Sequence, residues 1–214
     1  MCQWVALKDL PEGALKGVLY TFQSVFPHTT LWFAIPDIIA IIGSKKGLKV
    51  NLMSLEHRLQ TPRLKDELKR IGLDSPFALL SHFLMNEKAS LNYVQDAKMI
   101  TDNHPYIEFS IPRSLHYMYF KKEIARTLQH INNLRTPIVS PQKKGLSQIE
   151  EIFMRSFKAK DHVFKAYAFQ VQGFTSKAIG EYKKALEISP WDSDASVMLQ
   201  HILGAKRINP YRDL

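Results

Sequence analysis

Two short runs of β-branched and aromatic residues, Thr29 to Phe33 and Ile38 to Ile42, are separated only by Ala34-Ile35-Pro36-Asp37, and they set the narrowest limit on the fold. Such residues fit the pleated surface of a sheet, and a break of four residues holding Pro and Asp has room only for a turn. Two strands of this length cannot stand alone in water. Either Cys2 to Leu7 supplies a third strand or the partners lie outside the chain. Every position from Ile38 to Ile42 is apolar, which predicts a strand buried on both faces inside a helix-covered sheet. Before the first strand, Pro11-Glu12-Gly13 starts a helix whose apolar positions Leu15, Val18, Leu19, Phe22 and Val25 recur at helical spacing.

Farther on, Arg63 to Ile71 and Ser75 to Met85 read as helices divided by Gly72, the second opening on Asp74-Ser75-Pro76. "TDNHPYIEFSIPR", Thr101 to Arg113, follows. Its Ile107, Phe109 and Ile111 alternate with Tyr106, Glu108 and Ser110, so it predicts a strand bracketed by Pro105 and Pro112. Ser114 to Leu134 then reads as one long amphipathic helix. Thr136 to Gly145 holds two prolines and a glycine and has the composition of a linker. The expected organisation is a first domain over 1–135, a linker over 136–146 and a helical segment over 147–214.

The helical segment resembles a tetratricopeptide repeat along "GFTSKAIGEYKKALEISP". The resemblance places Ala166 and Phe169 on the first helix, Ala178, Tyr182 and Ala185 on the second, and Pro190 at the closing turn. Small alanines let the two helices approach, while Phe169 and Tyr182 fill the space around them. His162 and Lys165 depart from the pattern. One repeat cannot bury its own faces, so flanking helices must complete the packing. The resemblance implies a protein partner for these helices.

In the first domain, "CQWVAL", "VFPHTTLWF", "IIGSKKGLKVNL" and "TDNHPYIEFSIPR", in that order, resemble the C-terminal half of the spermidine-synthase-like family, whose members are often fused to membrane segments. The fold implied is α/β, the C-terminal part of the doubly wound sheet shared with S-adenosylmethionine-dependent methyltransferases. Met1 to Leu7 would end the fifth strand, Ala14 to Val25 would be the helix after it, and the hairpin would be the last antiparallel pair. The implied activity is aminopropyl transfer from decarboxylated S-adenosylmethionine to a polyamine or other small amine. The glycine-rich turn, the ribose-gripping acid and the catalytic aspartate of the family have no counterpart here, so the chain alone is expected to bind no cofactor. Met1 accordingly reads as a point inside a longer protein. The family's tyrosine-proline pair is replaced by "AIPDII", leaving Asp37 as a carboxylate for a cationic substrate or as a plain turn residue. Folded over the cleft, Asp102 and Glu108 would offer two carboxylates, with Tyr106 as an aromatic wall. Otherwise Asp102 caps a turn and Glu108 pairs with Arg113.

Other classes fit less well. The formal charge of +9 is scattered over 214 residues and forms no nucleic-acid code. Cys2 is the sole cysteine, which excludes an internal disulfide and fits a reducing, cytoplasmic setting. Eight dispersed histidines show no metal-ligand spacing. Leu31 to Gly43, the most apolar run, is shorter than the about 20 residues that a membrane helix needs.

Overall fold

The computed structural model describes residues 1–8, 10–35, 37–48, 50–116, 120–138 and 148–204. It is a mixed α/β structure that divides into two units, one of residues 1–48 and 83–136, the other of residues 49–82 and 137–214. The segment 49–82, which the sequence reading kept with the first domain, belongs by its contacts with the helices that follow residue 136. Pro36, and residues 139–147 of the expected linker, lie outside the described residues.

The first unit is built on β1 (Cys2–Ala6), α1 (Glu12–Val25), β2 (His28–Ile35) and β3 (Ile38–Ser44). Farther along the chain come β4 (Phe83–Met85), α5 (Glu87–Tyr93), α6 (Tyr106–His116) and α7 (Phe120–Asn133), after the intervening α2 (Leu52–Leu59), α3 (Pro62–Arg70) and α4 (Pro76–Ser81) of the second unit. All pairings in the sheet are antiparallel, in the order β1-β3-β2-β4. The hairpin of the sequence reading is present, and Cys2–Ala6 does supply its third strand. Since β1 and β2 each oppose β3, they run parallel to one another, with α1 as the crossover between them.

Opposed residues in a sheet share a face, so the register sorts the side chains. Leu31, Phe33, Ile39 and Ile41 are buried on one face. There α1 lies close enough that a Cβ on Gly43 would meet a Phe22 ring carbon at 2.3 Å and Phe26 Cβ at 2.6 Å. The other face carries Trp4, Ala40, Trp32 and Ile42, which are half-buried except for the exposed Trp4. The strand Ile38 to Ile42 is therefore buried fully on one face, not on both as its composition suggested. Gln23 of α1 donates to Ser90 Oγ of α5 at 2.6 Å, tying the two helices.

Two expectations need correction here. Phe83–Met85 is not the end of a helix but a wholly buried strand, because α4 stops at Ser81. "TDNHPYIEFSIPR" is not a strand. From Tyr106 on it is helix α6, which holds Pro112 in its interior. Ser110 is buried, with Ile107 and Ile111 half-buried and Phe109 exposed, so the inward set is spaced by three and four residues. The expected long helix Ser114 to Leu134 takes in the end of α6 and all of α7; residues 117–119 between them lie outside the described residues.

In the second unit α8 (Gln148–Val171), α9 (Thr175–Ile188) and α10 (Ser193–Ile202) pack in succession, with α4 against α8. Ser75 caps α4 through Ala78 N at 3.0 Å, with Pro76 in its first turn. Gly72 has φ +72°, and a side chain there would strike Ser193, whose hydroxyl donates to the Gly72 carbonyl at 3.4 Å. Ala166, Ala178, Tyr182 and Ala185 are wholly buried at the α8–α9–α10 contact, and Phe169 packs against them. Pro190 lies exposed in the turn after α9.

Candidate functional site

A groove of about 610 Å³ opens in the first unit between the start of α1, the turn after α5 and the start of α6. Tyr106 and Phe109 stand three residues apart on α6, so they share one helix face, and both line it. Opposite run Ala97, Lys98 and Met99, with Gly13 of α1 between. At its edge Lys16 Nζ holds both carboxylate oxygens of Asp96, at 2.7 and 2.9 Å. The hydrogen bond from Lys16 lowers the Asp96 carboxyl below its ordinary range.

Behind the groove the same face of α1 continues the polar array. Glu12, one turn before Lys16, accepts from His130 Nδ1 of α7 at 2.6 Å. Lys16 Nζ also lies 5.3 Å from the centroid of the Tyr93 ring, which meets His130 edge-on at 5.3 Å. Burial, reinforced by the charge of Glu12, pushes the Tyr93 phenol up. An imidazole held at Nδ1 by a carboxylate keeps Nε2 for proton exchange, the orientation that general acid–base work needs.

Of the candidate substrate-binding residues Asp37, Asp102, Tyr106 and Glu108, only Tyr106 lines this groove. Asp102 is exposed in the turn closed by the backbone pair Thr101–His104, and Glu108 is exposed in the first turn of α6. Asp37 sits at the β2–β3 turn, where its carbonyl accepts from Leu7 N at 2.7 Å. Neither Asp102 nor Glu108 is among the residues that line the groove. The side chain of Arg113, considered as a partner for Glu108, lies outside the described residues. Sequence reasoning missed Glu12, Lys16, Asp96 and His130, because each is unremarkable alone and 118 positions separate Glu12 from His130.

The second unit holds another cluster, fully enclosed. Lys160 Nζ contacts Asp192 Oδ2 at 3.0 Å and also Asp194, all three side chains being almost completely buried. His82 Nε2 lies 3.0 Å from Asp194 Oδ2, and its Nδ1 lies 2.8 Å from the Ala78 carbonyl. Each ring nitrogen faces an acceptor, so both bonds form when both nitrogens carry hydrogen. Burial works against the Lys160 ammonium, but Asp192 and Asp194 outweigh it and its pKa is raised. Burial likewise opposes the Asp194 carboxylate, and Lys160 with His82 reverses this, lowering its pKa strongly. The adjoining void of about 10 Å³ has no room for a substrate, so the cluster is a packing element.

Among the described residues no group of His, Cys, Asp or Glu could hold a metal ion, and no helix is long and apolar enough to cross a membrane. Comparison of the chain with protein-family models, curated proteins and solved structures found no match.

Proposed function

We propose that the first unit is the C-terminal part of a spermidine-synthase-like aminopropyltransferase and that it does not bind decarboxylated S-adenosylmethionine by itself. The observation that carries this reading is the placement of β3, antiparallel between the parallel pair β1 and β2, with α1 as the crossover. A strand, a helix and a closing antiparallel pair are what the resemblance requires of this stretch. In support of the second clause, the sequence holds no glycine-rich strand-to-helix turn of the kind that lets a backbone approach a nucleotide.

Calorimetric titration tests it. The folded chain alone should give no saturable heat with decarboxylated S-adenosylmethionine or methylthioadenosine at micromolar concentrations. Joined to the cofactor-binding half of a spermidine-synthase-like protein, it should give saturable binding. Binding by the chain alone would contradict the reading.

A second reading has its own observation. Complete burial of Ala166, Ala178, Tyr182 and Ala185 supports a tetratricopeptide-type hairpin that holds a protein partner, with the first unit a catalytically inactive remnant. If the joined halves bind no cofactor, this reading is favoured.

A further inference from the structure

We propose that the groove beside α6 is a binding site for a small planar aromatic compound carrying one anionic group. Its volume, about 610 Å³, falls within the range of roughly 300–1,000 Å³ common to small-molecule sites. Three large apolar side chains that water would otherwise wet converge on it: Met99 is 39% exposed, Tyr106 52% and Phe109 67%. Two aromatic side chains and a thioether in the lining suit a flat π-system better than an alkyl chain.

Charge decides the substituent. Among the residues that line the groove, Lys16 and Asp96 neutralise one another; the Glu12 carboxylate, which accepts from His130 and keeps its charge, is not part of that lining. Lys98, which lines the groove, has no carboxylate partner among the described residues and leaves one uncompensated cation. A ligand with an ammonium group would meet Lys98 and find the Asp96 oxygens engaged.

The test uses one ring in three charge states: indole-3-acetate, indole-3-acetamide and tryptamine, each titrated into the isotope-labelled 214-residue chain and followed by amide chemical shifts. Indole-3-acetate should bind tightest and tryptamine weakest, with shifts centred on Gly13, Met99 and Tyr106 to Phe109. Phe109→Ala should weaken all three by about fivefold, the scale of one aromatic contact. Lys98→Gln should weaken indole-3-acetate alone, by about threefold, as an exposed ion pair would. Both side chains are exposed, so the variants keep the fold, which unchanged shifts away from the groove verify. Absence of saturable shifts at the groove, indifference to Phe109→Ala, or equal affinity for the three compounds would overturn the proposal. Tightest binding of tryptamine would overturn it in favour of an amine pocket. The transferase reading stands or falls on cofactor binding by the joined halves, so the two fail separately.

Discussion

Lys160 Nζ lies 3.0 Å from Asp192 Oδ2 in the interior of the second unit, and Asp194 and His82 complete a cluster that joins α4, α8 and the start of α10. Asp192 also caps α10 through Ala195 N at 2.9 Å, so the same carboxylate orders a helix end and balances a buried cation. Replacing Lys160 by Met removes the cation that two buried carboxylates share. The expected cost is about 3–5 kcal/mol, the usual result of orphaning one side of a buried ion pair. Urea unfolding read on the helical signal checks it, and a loss under 1 kcal/mol, the value of an exposed pair, would show that the cluster is solvated.

The pH dependence follows from Asp194. Its carboxyl is held below the ordinary value of 3.8, so the unfolded chain takes up this proton at a higher pH than the folded chain does. The stability it contributes is therefore complete above about pH 5 and is lost as the pH falls through 4 and below. Urea midpoints measured from pH 7 to pH 2 should show this decline. Asp194→Asn should be less stable at neutral pH and show a shallower decline.

Gly43 sits where α1 crosses the sheet, and a Cβ there would meet Phe22 at 2.3 Å and Phe26 at 2.6 Å. Gly43→Ala should destabilise the first unit by about 1–3 kcal/mol through overpacking. Thermal unfolding tests it, and a neutral result would mean that α1 lies farther from β3.

Gly180 gives the opposite sign. It lies inside α9 with nothing within 4 Å of a built Cβ, so Gly180→Ala gains helix propensity without a clash. A gain of about 0.5–1 kcal/mol is expected, read from the urea midpoint.

The strands and the last helices were legible because each carries a strong local pattern. The runs at Thr29 and Ile38 are strands, and Ala166, Ala178, Tyr182 and Ala185 are the buried positions between α8, α9 and α10. The segment after Thr101 was misread for a physical reason. Ile107, Phe109 and Ile111 alternate, yet Ile107, Ser110 and Ile111 also satisfy a helical face, and six residues cannot separate the two periods. Pro112 pointed to a strand end, while the helix accommodates it at the loss of one backbone hydrogen bond. The polar pairs were illegible in kind. His82 with Asp194, and Glu12 with His130, are joined by tertiary packing alone and leave no spacing in the sequence.

The strand order β1-β3-β2 carries the functional reading, and amide hydrogen exchange with cross-strand proton contacts tests it most directly. Met1 and Gly43 exchange backbone hydrogen bonds, as Leu7 N does with the Asp37 carbonyl, so odd residues of β1 point their amides at β3. Protection should therefore alternate, with Gln3 and Val5 slow and Trp4 and Ala6 fast, and Trp4 should show contacts to Ala40. Uniformly fast exchange along Cys2 to Ala6, with no contact from Trp4 to Ala40, would remove β1 from the sheet and the proposed function with it.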